Sequence, residues 1–418
     1  MFSYSGCVYA KGCRKGFMKK GAATVAALLG IVYGVAVVGT SNAGSNALII
    51  NGQRNKVYAN LRISSTRGNC VSIVNSFNIT IEASDVGPCG GHAVYISGGS
   101  GNKVFDSYLH SEHPGNKCCD SHEGVRITAG SSFATIQGNV IAYNETNVRV
   151  DRGAHDIMVK GNYLVNPLGP YPRGQNFQSD TAERLAVVGN YAYSCTLNGT
   201  GKPCPALPRF LYSEVQEDSI NFFKTDSFTA ANNYVVGGHS GSGCGLIADF
   251  AANDGDFRSN VVVDTGQCGI GIADGVNQVV SGNRILNLTP IHGAGNTALY
   301  VWKQYSPACG PVRVFNNITD ELKADGSHSG YWDGGGCKPI SLSGNVFGNA
   351  AYNALYPIAS TVLPPLVPPI PKHCVATSPY STQTSAPPCR LSGESTPANT
   401  RQSLNRGIAS AAEQAHKP

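Results

Sequence analysis

The sequence predicts an all-β solenoid, a stack of short coils rather than a globule of packed layers. Three observations carry this. First, a small residue or asparagine followed by asparagine recurs before an apolar run: Gly138-Asn139, Gly161-Asn162, Gly189-Asn190, Asn232-Asn233, Ser259-Asn260, Gly282-Asn283, Asn316-Asn317 and Gly344-Asn345. The intervals are 23, 28, 43, 27, 23, 34 and 28 residues. Second, two further strand-like runs precede many of these pairs, such as GVRIT and FATIQ, or NVRVD and IMVK, and no 3.6-residue period is present. Third, glycine is frequent (50 residues) and charged residues are few (14%), which suits turns and disfavours helices. With 41% hydrophobic residues the chain is not a disordered one.

Each element has a physical reason. A coil of three short strands cannot bury its apolar residues alone. Stacking coils at about 4.8 Å buries them and pairs the backbone groups. Asparagine tolerates left-handed backbone angles, so it fits a sharp turn, and stacked asparagines can form a hydrogen-bonded ladder. The long intervals hold inserted loops: the stretch between Cys195 and Cys204, residues 166–180, and residues 326–336. Loops inserted at one strand junction line one wall of a groove.

The N-terminus reads as an export signal. Met18-Lys19-Lys20 opens a positive region, residues 21–38 are largely apolar, and Ala43 and Ala47 end small-residue cleavage sequences. Met18 is a possible true start, and an uncleaved anchor is the competing reading. The five lysines and arginines of residues 1–43 account for the formal net charge of +5. The remaining chain is balanced, so no nucleic-acid affinity follows from charge. Twelve cysteines remain after cleavage, in sequence-near pairs: Cys70/Cys89, Cys118/Cys119, Cys195/Cys204, Cys244/Cys268, Cys309/Cys337 and Cys374/Cys389. In an oxidising compartment they predict a disulfide framework of open connectivity. Zinc would need paired CxxC spacing, which the sequence lacks. The domains expected are a signal peptide (1–43), a solenoid (44–355), and a proline-rich linker with a largely disordered tail (356–418). The protein is expected to be secreted or periplasmic, monomeric, and not stably inserted in a membrane once the signal is cleaved.

The repeat spacing and Gly-Asn turns resemble those of the right-handed parallel β-helix (pectate-lyase-like) superfamily, from about residue 48 to 352. The resemblance implies the fold. The superfamily includes polysaccharide lyases, hydrolases and epimerases, and also phage and adhesin modules without catalysis, so activity has to be argued from the site.

The stretch CDSHEGVRITAG (119–130) concentrates the chemistry-bearing residues. Arg126 and Arg149 each lie 12 residues before a turn glycine, Gly138 and Gly161, so they share a register in consecutive coils. Both alternate with valine or isoleucine, which places the arginines outside. His122 and Asp151 project to the same side by the same period, and Gln178 falls at or within one residue of the same column. Stacked arginines repel unless Glu123, Glu145, Asp151 or an anionic ligand offsets them. A uronic-acid polymer would supply such an anion in bidentate geometry. β-Elimination or C5-epimerisation of a uronate needs a carboxylate neutraliser, a base and an acid. On that reading Arg126 and Arg149 neutralise, His122 is base or acid, and Asp120 orients His122 or acts as acid. Arg173, on a loop, contacts substrate, and Asp151, Gln178 and Lys224 complete the binding set. Asp120-Ser121-His122 is similar to the Asp-Pro-His motif of mannuronan epimerases, departing from it at the central proline and lacking an upstream tyrosine.

The ordinary readings stand beside these. Outward Arg and His on such strands are commonly solvated surface. Asp151, Asp180, Asp249 and Asp274 lie near strand ends and suit turn capping, with calcium as the competing use. No other cofactor is implied. The Asn-Thr-Asp, Asp-Asp, Gly-His-Gly and Arg-Ile-Lys motifs of polygalacturonase-type hydrolases do not occur, which disfavours that two-carboxylate chemistry. Tyr171, Phe177, Tyr305, Tyr331 and Trp332 lie in or beside the loops as sugar-stacking platforms or as loop packing. The sequence therefore favours an acidic-polysaccharide lyase or uronate epimerase, with a non-catalytic carbohydrate-binding or cell-surface adhesion module as the alternative.

Overall fold

A computed structural model describes residues 47–111, 122–169, 174–194, 217–238, 240–290, 295–305 and 308–362. The signal segment, Cys118/Cys119, Cys195/Cys204, Cys374/Cys389 and the C-terminal tail lie outside the described residues.

The described chain forms successive coils of three strands. In one coil these are Val125–Ser132, Thr135–Gln137 and Val140–Ala142. Each strand pairs in parallel with its counterpart one coil away, as Ile136 with Val159 and Ile141 with Leu164. Among the described residues the first and second strands join into one 21-stranded sheet, and the third strands make a separate 11-stranded sheet. Parallel strands joined by successive crossovers wind right-handed, and the fold is a right-handed parallel β-helix.

Period-two alternation decides which side chains face in. Val125, Ile127, Val148, Val150, Phe177, Ile220 and Leu246 are fully buried and fill the interior. Phe222 and Phe228 stack there with ring centroids 4.0 Å apart, and Phe257 meets both edge-on. The residues between them face outward.

The asparagine ladder is present, with a division of labour that differs from the expected one. The left-handed residue of each turn is the one before the ladder asparagine: Gly138, Gly161, Gly189, Asn232, Ser259, Gly282, Asn316 and Gly344 have φ between 54° and 70°. The following asparagine points inward and bonds to the next coil. Asn162 Nδ2 donates to Asn190 Oδ1 (2.9 Å), Asn190 to Asn233 (3.1 Å), Asn233 to Asn260 (3.0 Å) and Asn260 to Asn283 (3.0 Å). Each Oδ1 also accepts the backbone N–H of the preceding ladder residue. Burying an amide unpaired is costly, and here every rung satisfies the last. In the first coils serine holds the same position: Leu61 N–H donates to Ser84 Oγ, Ser84 N–H to Ser107 Oγ, and Ser107 N–H to Asn139 Oδ1.

Three of the expected cysteine pairs are disulfides: Cys70–Cys89, Cys244–Cys268 and Cys309–Cys337. Cys244 and Cys268 are register partners on adjacent strands. One element was not foreseen. A helix, Asn349–Val362, follows the last coil and runs past residue 355, where the solenoid was expected to give way to linker. Its Ala351 and Leu355 are buried, and the helix packs along the third-strand sheet, against strands Arg284–Asn287 and Ile318–Glu321. The run AAYNALY has good helix formers and no turn signal before Pro357.

Candidate functional site

The outward face of the first strands carries one continuous column. Reading from coil to coil it is Tyr95, Arg126, Arg149, Gln178, Asn221, Ile247, Gly271, Tyr300 and Trp332. A second column two residues along contains Asp180, Phe223, Asp249, Ala273 and Trp302. At ~4.8 Å per strand, Arg126 and Trp332 are roughly 34 Å apart. Several pyranose rings would span that distance.

Arg126 and Arg149 are direct register partners, as the spacing from the turn glycines requires. One carboxylate lies between them. Arg126 Nε donates to Asp151 Oδ2 (2.7 Å) and Arg149 Nε to Asp151 Oδ1 (2.8 Å). Arg149 also donates from Nη1 to Gln178 Oε1 (3.2 Å), and its Nη2 is 4.0 Å from Asp180. Gln178 thus sits in the column itself. Arg149 is 9% exposed, so its charge is largely removed from water.

Behind the arginines lies a buried acid. Glu123 is 2% exposed and pairs with His92 Nδ1 at 2.6 Å, while the His92 ring stacks on Tyr95. Burial pushes the Glu123 carboxyl up. The hydrogen bond and charge of His92, with the charges of Arg126 and Arg149, outweigh it and hold the carboxyl below its ordinary value. Burial likewise works against the charge of Arg126, and Glu123 and Asp151 restore it.

His122 lies just before strand Val125–Ser132 and is half-buried. Its backbone is fixed: its N–H donates to Glu145 Oε2 (3.2 Å), and its carbonyl accepts the Glu145 N–H (2.9 Å) and Ser111 Oγ (3.0 Å). Asp120 and Arg173 lie outside the described residues. Lys224 is apart from the arginines, at a left-handed turn after strand Ile220–Phe223 (φ 50°). Its ammonium lies over the Phe250 ring at 4.4 Å and the Phe223 ring at 4.9 Å.

A second cluster, of which the sequence reading named only Asp249 and Asp274, as turn caps, follows along the same face. Asn221 Nδ2 donates to Asp218 Oδ2 (2.7 Å) and to Asp249 Oδ2 (3.3 Å), so one amide bridges two carboxyls. Asp218 Oδ1 accepts the Cys244 N–H (2.8 Å). Burial, then the charge of Glu217, raises the Asp249 carboxyl to about 7, against the hydrogen bond from Asn221. Burial and the charges of Glu217 and Asp249 push Asp218 well above its ordinary value. The Tyr300 ring lies across Gly271: a Cβ there would meet its Cζ at 2.7 Å and its hydroxyl at 2.8 Å. The Tyr300 hydroxyl is raised by burial and then by the charges of Asp249 and Asp218, so it belongs to this cluster. Asp274, at the next strand end, takes the Tyr305 N–H at 2.7 Å. The available signal was positional: Asp249 and Asp274 end the patterns GLIAD and GIGIAD of successive coils.

Among the described residues no group of three or more His, Cys, Asp or Glu side chains is arranged to hold a metal ion. No described helix is long and apolar enough to cross a membrane.

No family model and no curated protein matches the chain. Solved structures are similar at low identity. DFA-IIIase from Arthrobacter chlorophenolicus A6, in complex with GF2, has a TM-score of 0.45 and 14% identity over 66% of each chain. This chain therefore spans just under two thirds of that enzyme. PfbA, a surface adhesin of Streptococcus pneumoniae, has a TM-score of 0.45 and 13% identity over 73% of this chain and 70% of its own. The periplasmic alginate epimerase AlgG has a TM-score of 0.37 and 12% identity over 72% and 74%. By its strand topology, the chain is a right-handed parallel β-helix protein.

Proposed function

We propose that the protein is exported and acts on an acidic polysaccharide, by β-elimination or C5-epimerisation of a uronate. The observation that carries this is the Arg126–Arg149 pair, stacked in one outward column and sharing the single carboxylate of Asp151. Guanidinium groups fixed at their Nε atoms by Asp151 are pre-oriented, which reduces what is lost on binding a carboxylate. A uronate carboxylate held there has its charge neutralised, which acidifies the C5 proton. His122, half-buried before the Arg126 strand, is the candidate base or acid. Asp120 and Arg173 keep the roles expected of them, orienting His122 and contacting substrate from the loop. The leader-like N-terminus and three disulfides support export.

One observation favours the non-catalytic alternative. Asp151 and Asp180 already balance the two guanidinium charges, so the face would also serve as a carbohydrate-binding or adhesion surface. Incubation with pectate, alginate, hyaluronan and chondroitin, with and without calcium, separates the two. A rise in ultraviolet absorbance from an unsaturated uronate, or a change in C5 configuration by NMR, lost in Arg149→Ala and His122→Ala, supports catalysis. Binding of a polymer without either change, weakened in Arg149→Ala, supports the binding module.

A further inference from the structure

Among the described residues, the acids that surround Arg126 and His122 are already engaged. Asp151 accepts from both Arg126 and Arg149. Glu123 is buried against His92, and Glu145 Oε2 accepts the His122 N–H. The chemistry proposed above needs two proton carriers, one to take the C5 proton and one to give a proton back. His122 is the candidate for one of them. These three carboxylates, bound to cations or to backbone, leave the other role open.

Tyr95 stands beside them with a hydroxyl to offer. It is the direct register partner of Arg126, one coil earlier in the same outward column. Its side chain is half-buried, and its ring stacks on His92 with centroids 5.4 Å apart and planes 14° from parallel. His92 is in turn held by the buried Glu123 carboxylate at 2.6 Å. The phenol is therefore backed by a fixed ring. Burial works against the charge of Arg126, and the charges of Glu123 and Asp151, then of Tyr95, sustain it, so the Tyr95 oxygen lies within electrostatic reach of the guanidinium. The Tyr95 hydroxyl has no hydrogen-bond partner among the described residues, and it is not one of the enclosed polar atoms. A phenol both donates and accepts, and it carries its proton at neutral pH.

We propose that Tyr95 is a catalytic residue of this site, the group that gives a proton to the uronate bound at Arg126 and Arg149. This rests on the reading of the two arginines as a uronate site. In β-elimination His122 takes the C5 proton, and the C5–H electrons form the C4–C5 double bond. The C4–O4 bond breaks with its electron pair on O4, and O4 receives the Tyr95 proton. In C5-epimerisation no C–O bond breaks: His122 takes the C5 proton from one face of the ring and Tyr95 returns one to the other. Either way the tyrosinate so formed lies beside the Arg126 cation and regains its proton from protonated His122 through water.

The test is Tyr95→Phe in the full chain. It keeps the ring on His92 and removes a hydroxyl that bonds to nothing described, so the fold is not at stake. Turnover of pectate, alginate, hyaluronan and chondroitin is followed by ultraviolet absorbance and by NMR of the C5 configuration, and polymer binding by calorimetry. The expected result is a fall in kcat of about 100-fold or more, the scale of general acid catalysis, with KM and polymer affinity changed less than about twofold. A loss of affinity as large as the loss of turnover overturns the proposal, because Tyr95 would then bind and not donate. Turnover retained in Tyr95→Phe but lost in Arg149→Ala also overturns it and leaves the uronate site standing. No turnover of any of the four polymers by the unaltered protein, or turnover indifferent to Arg149→Ala, overturns both.

Discussion

Asp249→Asn has a consequence for stability that can be worked from the structure. In the unfolded chain the carboxyl releases its proton near 3.8, whereas in the fold burial and Glu217 keep it protonated up to about 7. Between those values the folded state binds more protons than the unfolded one. Stability therefore falls as pH rises through that window and stays lost above it. At 1.36 kcal/mol per pH unit the shift corresponds to about 4 kcal/mol. Asparagine does not titrate, and its amide oxygen can still accept from Asn221 Nδ2. Relative to the unaltered protein, Asp249→Asn should thus gain about 4 kcal/mol between pH 4 and pH 8, whatever fixed offset the substitution brings. The assay is urea unfolding followed by circular dichroism at both pH values. Glu321, also raised, titrates in both proteins and cancels. Asp218 shares the Asn221 amide, so the measured difference belongs to the Asp218–Asp249 pair. An offset identical at pH 4 and pH 8 would refute the reasoning, because Asp249 would then titrate as in the unfolded chain.

Other substitutions probe the remaining features. Asn190→Ala removes a rung that bonds Val159 O and Asn233 Oδ1 and accepts from Asn162; a loss of about 3 kcal/mol or more is expected by denaturant unfolding, because several buried groups lose their partner at once. Cys244→Ser with Cys268→Ser should lower stability by about 2–4 kcal/mol, read as the midpoint under non-reducing conditions. Gly271→Ala forces the Tyr300 ring off the column and is expected to lower stability by about 1–3 kcal/mol through overpacking, with weakened oligosaccharide binding in the same preparation.

The fold was legible because a β-helix writes its periodicity into the chain. The turn residue and the inward asparagine recur once per coil, and strand alternation leaves a single register. Counting back from Gly138 and Gly161 was enough to pair Arg126 with Arg149 and to bring Gln178 beside them. The first coils were harder to see because Ser84 and Ser107 stand where later coils have asparagine. A hydroxyl meets the same backbone N–H, and no Asn signal remains to count. The helix at Asn349–Val362 was missed because it belongs to no repeat. The Asp218–Asn221–Asp249 cluster was missed for another reason. Asp218 lies just before strand Ile220–Phe223, Asn221 lies within it and Asp249 ends the next, and the property that distinguishes them from turn caps is burial. Burial depends on what stacks around a position, and strand period alone does not report it.

The ladder also bears on how such a chain can change over time. Its rungs meet at constant geometry whether the intervening chain is 23 residues, as between Asn139 and Asn162, or 43, as between Asn190 and Asn233. Lengthening a loop raises its closure entropy only slowly, by about 0.6 kcal/mol per doubling. A coil boundary therefore tolerates insertions that leave the core register untouched. Recognition of new polymers can be explored by varying loops and outward residues, while the inward asparagines keep the scaffold in step.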